Sequence, residues 1–123
     1  MASAQILIAE DDPVLRNLYV KRFSAAGYGI RTAADGTEAL ADIQRQRPDM
    51  LILDIQMPGI DGLAVLAQLP PKGRTFPILV LTNVSDDQTR ERAMILGADA
   101  FLVKKDMTIR ILLKKIAELL KKK

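Results

Sequence analysis

Short apolar, β-branched runs alternate along the chain with longer segments in which apolar residues recur every three or four positions, and this alternation predicts strands interleaved with helices. The first run, Gln5 to Ala9, stops at Glu10-Asp11-Asp12-Pro13, as a buried strand leading into a helix would, with Pro13 in the first helical turn. Val14, Leu15, Leu18, Tyr19 and Phe23 then recur at helical spacing up to Gly27, which predicts a helix ending near Ala26. Gly29 to Ala33 reads as a second, weaker strand. Asp35-Gly36-Thr37-Glu38 offers an N-cap with Glu three positions on, and opens a helix through Leu40 and Ile43 that ends before Pro48. Met50 to Ile55 is apolar throughout except for Asp54, a third strand covered on both faces. The turn-rich Met57 to Gly62 leads to a short helix ending at Leu69, a loop with proline and glycine, and a fourth strand from Pro77 to Thr82. Ser85-Asp86-Asp87 caps a fourth helix that stops at Gly97, and Ala100 to Lys104 is the fifth strand. Asp106 is the predicted cap of a last helix whose Ile109, Leu112, Leu113, Ile116 and Leu120 form one apolar stripe.

Five strands alternating with five helices predict a parallel sheet with helices on both faces, because right-handed crossovers demand it. No internal repeat or linker divides the sequence, so residues 1–123 read as a single domain with a core from about residue 4 to residue 120.

Composition narrows the chemistry. Apolar residues make up 49% and charged residues 27% of the chain, the balance of a water-soluble globular protein, and no apolar stretch is long enough to cross a bilayer. Met1-Ala2-Ser3-Ala4 lacks the basic start and apolar stretch of a secretion signal, so a cytoplasmic location is expected. Cysteine and histidine are absent, which removes disulfides, thiolate or imidazole metal sites, cysteine nucleophiles and Ser-His-Asp machinery. The net charge of +3 equals that of the terminal Lys121-Lys122-Lys123 alone. It therefore indicates no nucleic-acid surface, and the lack of Trp argues against base stacking.

In open α/β sheets, ligands bind beyond the carboxyl ends of the strands. Glu10-Asp11-Asp12, Asp54, Thr82 and Lys104 stand at the ends of the first, third, fourth and fifth strands, so the topology gathers them at one edge. Taken singly, each has an ordinary explanation: Glu10 to Asp12 as helix capping, Thr82 as β-propensity, Lys104 as a snorkelling surface residue. Asp54 resists one, because a carboxylate in an otherwise apolar strand needs a partner. Carboxylates gathered in one place raise each other's pKa unless a cation offsets them, and an all-oxygen set without histidine or cysteine suits Mg²⁺. A phosphoryl group would complete the oxygens around such an ion, with a hydroxyl from Thr82 and the ammonium of Lys104 to neutralise it and Asp54 placed as nucleophile.

The segments Ile6 to Asp12, Ala33 to Leu40, Asp49 to Gly62, Pro77 to Thr82 and Gly97 to Lys104 together resemble the receiver domains of bacterial two-component response regulators, over nearly the whole chain. The resemblance implies a flavodoxin-like, doubly wound (βα)5 fold with strand order 2-1-3-4-5. It implies Mg²⁺ bound by Glu10, Asp11, Asp54 and the backbone carbonyl of Gln56, with Asp11 and Asp54 as direct ligands. It also implies a phosphoryl group passed to Asp54 from a phosphohistidine of a sensor histidine kinase or phosphotransfer protein. Thr82 and Phe101 would be a switch couple, Thr82 moving toward the phosphoryl oxygen and the Phe101 ring turning into the vacated space. The change would reshape the surface of the fourth helix, fifth strand and fifth helix, toward a downstream protein target or a phosphorylation-dependent homodimer of an otherwise monomeric chain. Neither a membrane nor nucleic acid is an expected direct partner.

Three departures from the family pattern matter. Lys105 follows Lys104 where the family usually has proline; a cis bond there would cost about 2.5–4 kcal/mol without proline, so a trans bond and a rearranged loop are expected. Asn83 follows Thr82 where a very small residue is usual, with the expectation that it crowds the phosphoryl entrance and that Asn83→Ala speeds phosphorylation. Gln56 and Val84 stand where family members control water access, which suggests slow-to-moderate self-dephosphorylation. These departures leave one alternative, a receiver-like interaction module that no longer accepts phosphate. An enzyme acting on a separate substrate is not expected: no cap or insertion accompanies the carboxylates, and glycine-rich phosphate loops are missing.

Overall fold

The computed structural model describes residues 3–70 and 74–121. Met1 and Ala2 of the leader reading, Pro71 to Gly73 of the proline- and glycine-containing loop, and Lys122 and Lys123 of the basic end lie outside the described residues. Five β-α units follow one another: β1 (Gln5–Ala9), α1 (Pro13–Ala25), β2 (Gly29–Ala33), α2 (Gly36–Arg45), β3 (Met50–Leu53), α3 (Gly62–Ala67), β4 (Ile78–Thr82), α4 (Asp87–Ile95), β5 (Ala100–Val103) and α5 (Ile109–Lys121). All pairings are parallel and the order is β2-β1-β3-β4-β5, the flavodoxin-like arrangement expected. Strand order reverses beside β1, so a crevice for ligand forms at the carboxyl ends of β1 and β3.

Alternation along the strands divides the core in two. Leu7, Leu51, Leu53, Ile78 and Val80 face the layer of α2, α3 and α4, where Ala39, Val65, Leu66 and Ala93 cover them. Ile6, Ile8, Met50, Ile52, Leu79 and Leu81 face the other layer, under Tyr19 and Phe23 of α1 and Leu112, Ile116 and Leu119 of α5. Of the five apolar positions predicted for the first helix, Leu15, Tyr19 and Phe23 turn inward, with the Tyr19 and Phe23 rings stacked at 5.5 Å. Val14 and Leu18 do not: they lie on the solvent side of the same helix, 76% and 37% exposed. In α5, Leu119 is more deeply buried than Leu120, which packs at the core's margin.

Helix starts follow side-chain acceptors. Asp12, Asp35, Asp61 and Asp86 cap α1, α2, α3 and α4 by accepting backbone N–H groups of the first turn. Glu38 reaches back to the N–H of Ala34. The expected cap of the last helix is corrected: Asp106 belongs to a 3₁₀ turn, Lys104–Asp106, and the Thr108 hydroxyl accepts from Ile111 N–H instead. Three strands are also shorter than predicted, β4 beginning at Ile78 and not at Pro77. β3 ends at Leu53, leaving Asp54 one residue beyond it, and β5 ends at Val103 because Met107 N–H closes the 3₁₀ turn onto the Lys104 carbonyl.

Gly62 lies where the start of α3 crosses the end of β3, its N–H donating to the Ile55 carbonyl at 2.9 Å. A Cβ at that position would sit 2.2 Å from the Asp54 carbonyl oxygen and 2.8 Å from Ile55 Cα. The obstructing atoms are backbone, so no rotamer change relieves the clash. Gly62→Ala is predicted to destabilise the fold by about 1–3 kcal/mol, the range for overpacking a tight contact, read as a lower urea midpoint at an unchanged m-value.

Candidate functional site

The ladder hydrogen bonds run one residue past the ends of β1 and β3 and thereby fix two carboxylates. Glu10 N–H donates to the Ala33 carbonyl and Asp54 N–H to the Ala9 carbonyl, at 3.0 and 3.1 Å. Both side chains are buried, Glu10 at 2% and Asp54 at 5% exposure. Asp11 follows on an exposed turn. The carboxylate oxygens of Glu10, Asp11 and Asp54 lie within 4.8 Å of one another.

Lys104 extends from the 3₁₀ turn after β5 and places its Nζ 2.5 Å from Glu10 Oε1 and 2.6 Å from Asp54 Oδ2. The other oxygens of the pair are also held. Glu10 Oε2 accepts from Asp12 N–H at 3.1 Å, and Asp54 Oδ1 from Gln56 N–H at 3.2 Å. The Lys104–Lys105 bond is trans, as expected, since the described residues contain no cis peptide, and Lys104 reaches the acidic pair from the 3₁₀ turn.

Burial pushes the Glu10 carboxyl above its ordinary range, and hydrogen bonds from Lys104 and the Asp12 amide reverse this only in part. Burial pulls the Lys104 ammonium down, but its hydrogen bonds to Asp54 and Glu10 outweigh that and hold its pKa above the usual lysine value. The ammonium is thus the charge that makes two buried carboxylates tolerable.

Of the remaining predicted residues, Thr82 ends β4 at the same edge, fully buried, and its hydroxyl oxygen accepts from Val84 N–H at 3.2 Å. Gln56 is exposed and lines a cleft of about 540 Å³ with Asp11, Ile55, Met57, Pro58 and Asp61. Phe101 pairs with Val80, two rungs before the Thr82–Val103 pair that ends the ladder. Its ring is already buried, and the Arg90 guanidinium lies over it at 5.1 Å. Asp12, suspected as a cap, is one, accepting from Val14 and Leu15 N–H.

Sequence reasoning missed three contacts. Arg16, one turn into α1, donates from Nη1 to the Glu10 carbonyl at 2.9 Å and more weakly to that of Asp11. Arg90 stacks on Phe101 from α4. Lys105 N–H donates to Asn83 Oδ1 at 3.2 Å, so the Asn83 side chain is engaged with the neighbouring loop. The arginines left no signal because basic residues on exposed helical positions are ordinary. The Asn83–Lys105 contact had one, since both positions were already irregular.

Chemically, three clustered carboxylates in a chain without cysteine or histidine form an all-oxygen donor set. Such a set fits a hard divalent ion such as Mg²⁺.

Residues 6–117 match the family model described as the response regulator receiver domain. The chain belongs to that family. Response regulator MprA of Mycobacterium leprae is 40% identical over 118 residues, covering 96% of this chain and 51% of that protein. The probable transcriptional regulator ycf27 of Porphyridium aerugineum is 38% identical over 104 residues, covering 85% and 43%. The chain spans about half the length of these curated relatives. Among solved structures, the chemotaxis protein CheY4 of Vibrio cholerae superposes with a TM-score of 0.87 at 32% identity, over 96% of this chain and 99% of that one. A CheY-like receiver domain protein of Methanospirillum hungatei gives 0.92 at 26% identity, over 98% and 95%.

In this receiver domain, Lys104→Met would leave Glu10 and Asp54 facing each other without a cation. Breaking a buried pair in this way is predicted to cost about 3–5 kcal/mol at pH 7 in metal-free protein. The sign with pH follows from the raised carboxyl pKa: that group favours the fold below its ordinary value of 4.5 and opposes it as pH rises through the folded value. The deficit of the variant should therefore shrink as pH falls toward 4.5, a trend that urea unfolding at several pH values measures.

Proposed function

We propose that this receiver domain is a phosphoacceptor switch in a two-component phosphorelay. Asp54 receives a phosphoryl group from a phosphohistidine of a sensor histidine kinase or phosphotransfer protein, and the domain assists only its own phosphorylation and dephosphorylation. The observation that supports this most is the holding of Asp54: buried at the sheet edge, one oxygen on Gln56 N–H and the other on the Lys104 ammonium. A nucleophile restrained at both oxygens loses little orientational freedom on reaction.

As Asp54 attacks phosphorus and the donor's P–N bond breaks, negative charge gathers on the phosphoryl oxygens. Lys104 is placed to follow that charge from the carboxylate to the phosphoryl group. Asp11, Asp54 and the Gln56 carbonyl, with Glu10 beside them, would hold Mg²⁺, which would supply further positive charge to those oxygens. Arg16, through the Glu10 and Asp11 carbonyls, keeps the acidic turn in place. Thr82 would exchange its Val84 partner for a phosphoryl oxygen, and Phe101 would repack beneath Arg90. The exposed Met94, Ile95 and Ile111 give the α4–β5–α5 face apolar area for a downstream protein target or a second copy of the chain. Gln56 and Val84 point to slow-to-moderate loss of the phosphoryl group. No described helix is long and apolar enough to cross a membrane, and this role goes with a cytoplasmic location.

Incubation with Mg²⁺ and acetyl phosphate should add one phosphoryl group by intact mass, and none to Asp54→Asn. No addition to the parent, or equal addition to both, would replace this reading with that of an interaction module working by binding alone. Mg²⁺ itself should stabilise the fold: at a concentration about 100 times its Kd the gain is about 2.7 kcal/mol, read as a raised urea midpoint, and Asp11→Asn should remove most of it.

A further inference from the structure

The β4–β5 ladder ends at the pair Thr82–Val103. Beyond it the two strands part, the chain bending at Asn83 on one side and turning into the 3₁₀ segment Lys104–Asp106 on the other. One side chain crosses the gap. Asn83 Oδ1 accepts from Lys105 N–H at 3.2 Å, joining residues that directly follow Thr82 and Lys104. Lys105 is exposed, so water alone could satisfy its amide. What the side chain adds is a tether on the peptide that leaves Lys104.

That peptide matters because Lys104 carries its ammonium on a long flexible stem to a point 2.5 Å from Glu10 and 2.6 Å from Asp54. A stem with many rotamers reaches one point reproducibly only when its backbone origin is fixed. A proline at position 105 would restrict the loop by its ring and would have no N–H to donate. With a lysine there, the restriction has to come from elsewhere, and the Asn83 carboxamide is the acceptor within reach.

We infer that Asn83 is a positioning residue: by tethering the Lys104–Lys105 peptide to the end of β4, it sets where the Lys104 ammonium stands opposite Asp54. The inference rests on the phosphoacceptor reading of Asp54. It reverses the sign expected from crowding, since loss of the Asn83 side chain should slow the reaction instead of speeding it. It also makes the effect conditional, because the tether exists only while residue 105 has an N–H.

A double-mutant cycle on the full chain tests both features, comparing the parent, Asn83→Ala, Lys105→Pro and the double variant. With acetyl phosphate and saturating Mg²⁺, Asn83→Ala should slow phosphorylation of Asp54 about 2- to 10-fold, the range that one hydrogen bond of ordinary net strength supplies. In the Lys105→Pro background the same substitution should have no effect. Mg²⁺ affinity, set by the carboxylates, should stay at the parent value in Asn83→Ala, whereas general damage to the site would lower it. Faster phosphorylation in Asn83→Ala, or an equal effect in both backgrounds, would overturn the inference. Amide hydrogen exchange provides a readout independent of phosphorylation. The Lys105 amide should exchange at least about 2-fold faster in Asn83→Ala than in the parent; unchanged exchange would remove the tether itself. A chain that takes no phosphoryl group but shows the faster exchange would sink the phosphoacceptor reading and, with it, the positioning role.

Discussion

Two carboxylates, Glu10 and Asp54, are buried at the carboxyl edge of the sheet with the ammonium of Lys104 between them, and most local features of the site serve that three-charge contact. Each carboxylate has its second oxygen on a backbone amide, from Asp12 or Gln56. Each sits one residue past a strand, on a backbone still held by the ladder. Charges removed from water are tolerated only when every lone pair and proton has a partner, and this geometry comes close to that condition. Burial still holds the Glu10 carboxyl above its ordinary range. A cluster that retains excess negative charge after taking up one lysine is suited to a divalent ion.

The sheet accomplishes this by register alone. Parallel strands put all their carboxyl ends on one side, and the reversal of order beside β1 opens the crevice there. Helices α2, α3 and α4 on one face and α1 and α5 on the other exclude water from the central strands, and exposure begins at the turns beyond them, as at Asp11 and Gln56. The Gly62 crossing shows how closely packing and site are joined. The absence of a side chain there lets α3 start against the Asp54 carbonyl, so a fold contact and the placement of Asp54 share the same atoms.

Much of this was legible in the sequence for one physical reason: a strand buried on both faces tolerates polar residues only at its ends. Glu10, Asp54, Thr82 and Lys104 stood out against apolar runs, and their order along the chain was enough to bring them to one edge. What stayed hidden lacks such contrast. Val14 and Leu18 fit the helical period yet face solvent, because the period gives a spacing and the direction of the stripe depends on what packs against it. Asp106 resembled a cap, but the 3₁₀ turn moved the helix start to Thr108. Arg16 and Arg90 are ordinary surface residues until the fold puts carbonyls or an aromatic ring beneath them.

The ring beneath Arg90 bears on the proposed switch. Phe101 is already buried, and the guanidinium above it adds a contact from α4. A ligand shifts a two-state equilibrium only by the difference in its interaction free energy with the two states. Contacts that favour a buried ring, the Arg90 stack among them at about 0.5–1 kcal/mol for an exposed cation–π pair, would on the proposed reading lower the work a phosphoryl group has to do to keep it there. The contact between Asn83 and Lys105 belongs to the same balance, since it joins the loop after Thr82 to the loop that carries Lys104. On the phosphoacceptor reading proposed above, Thr82 and Lys104 would be the two groups that follow the phosphoryl oxygens. With their loops tied together, movement of one would constrain the other, and on the proposed reading charge at Asp54 would be linked to the packing around Phe101 through β4 and β5.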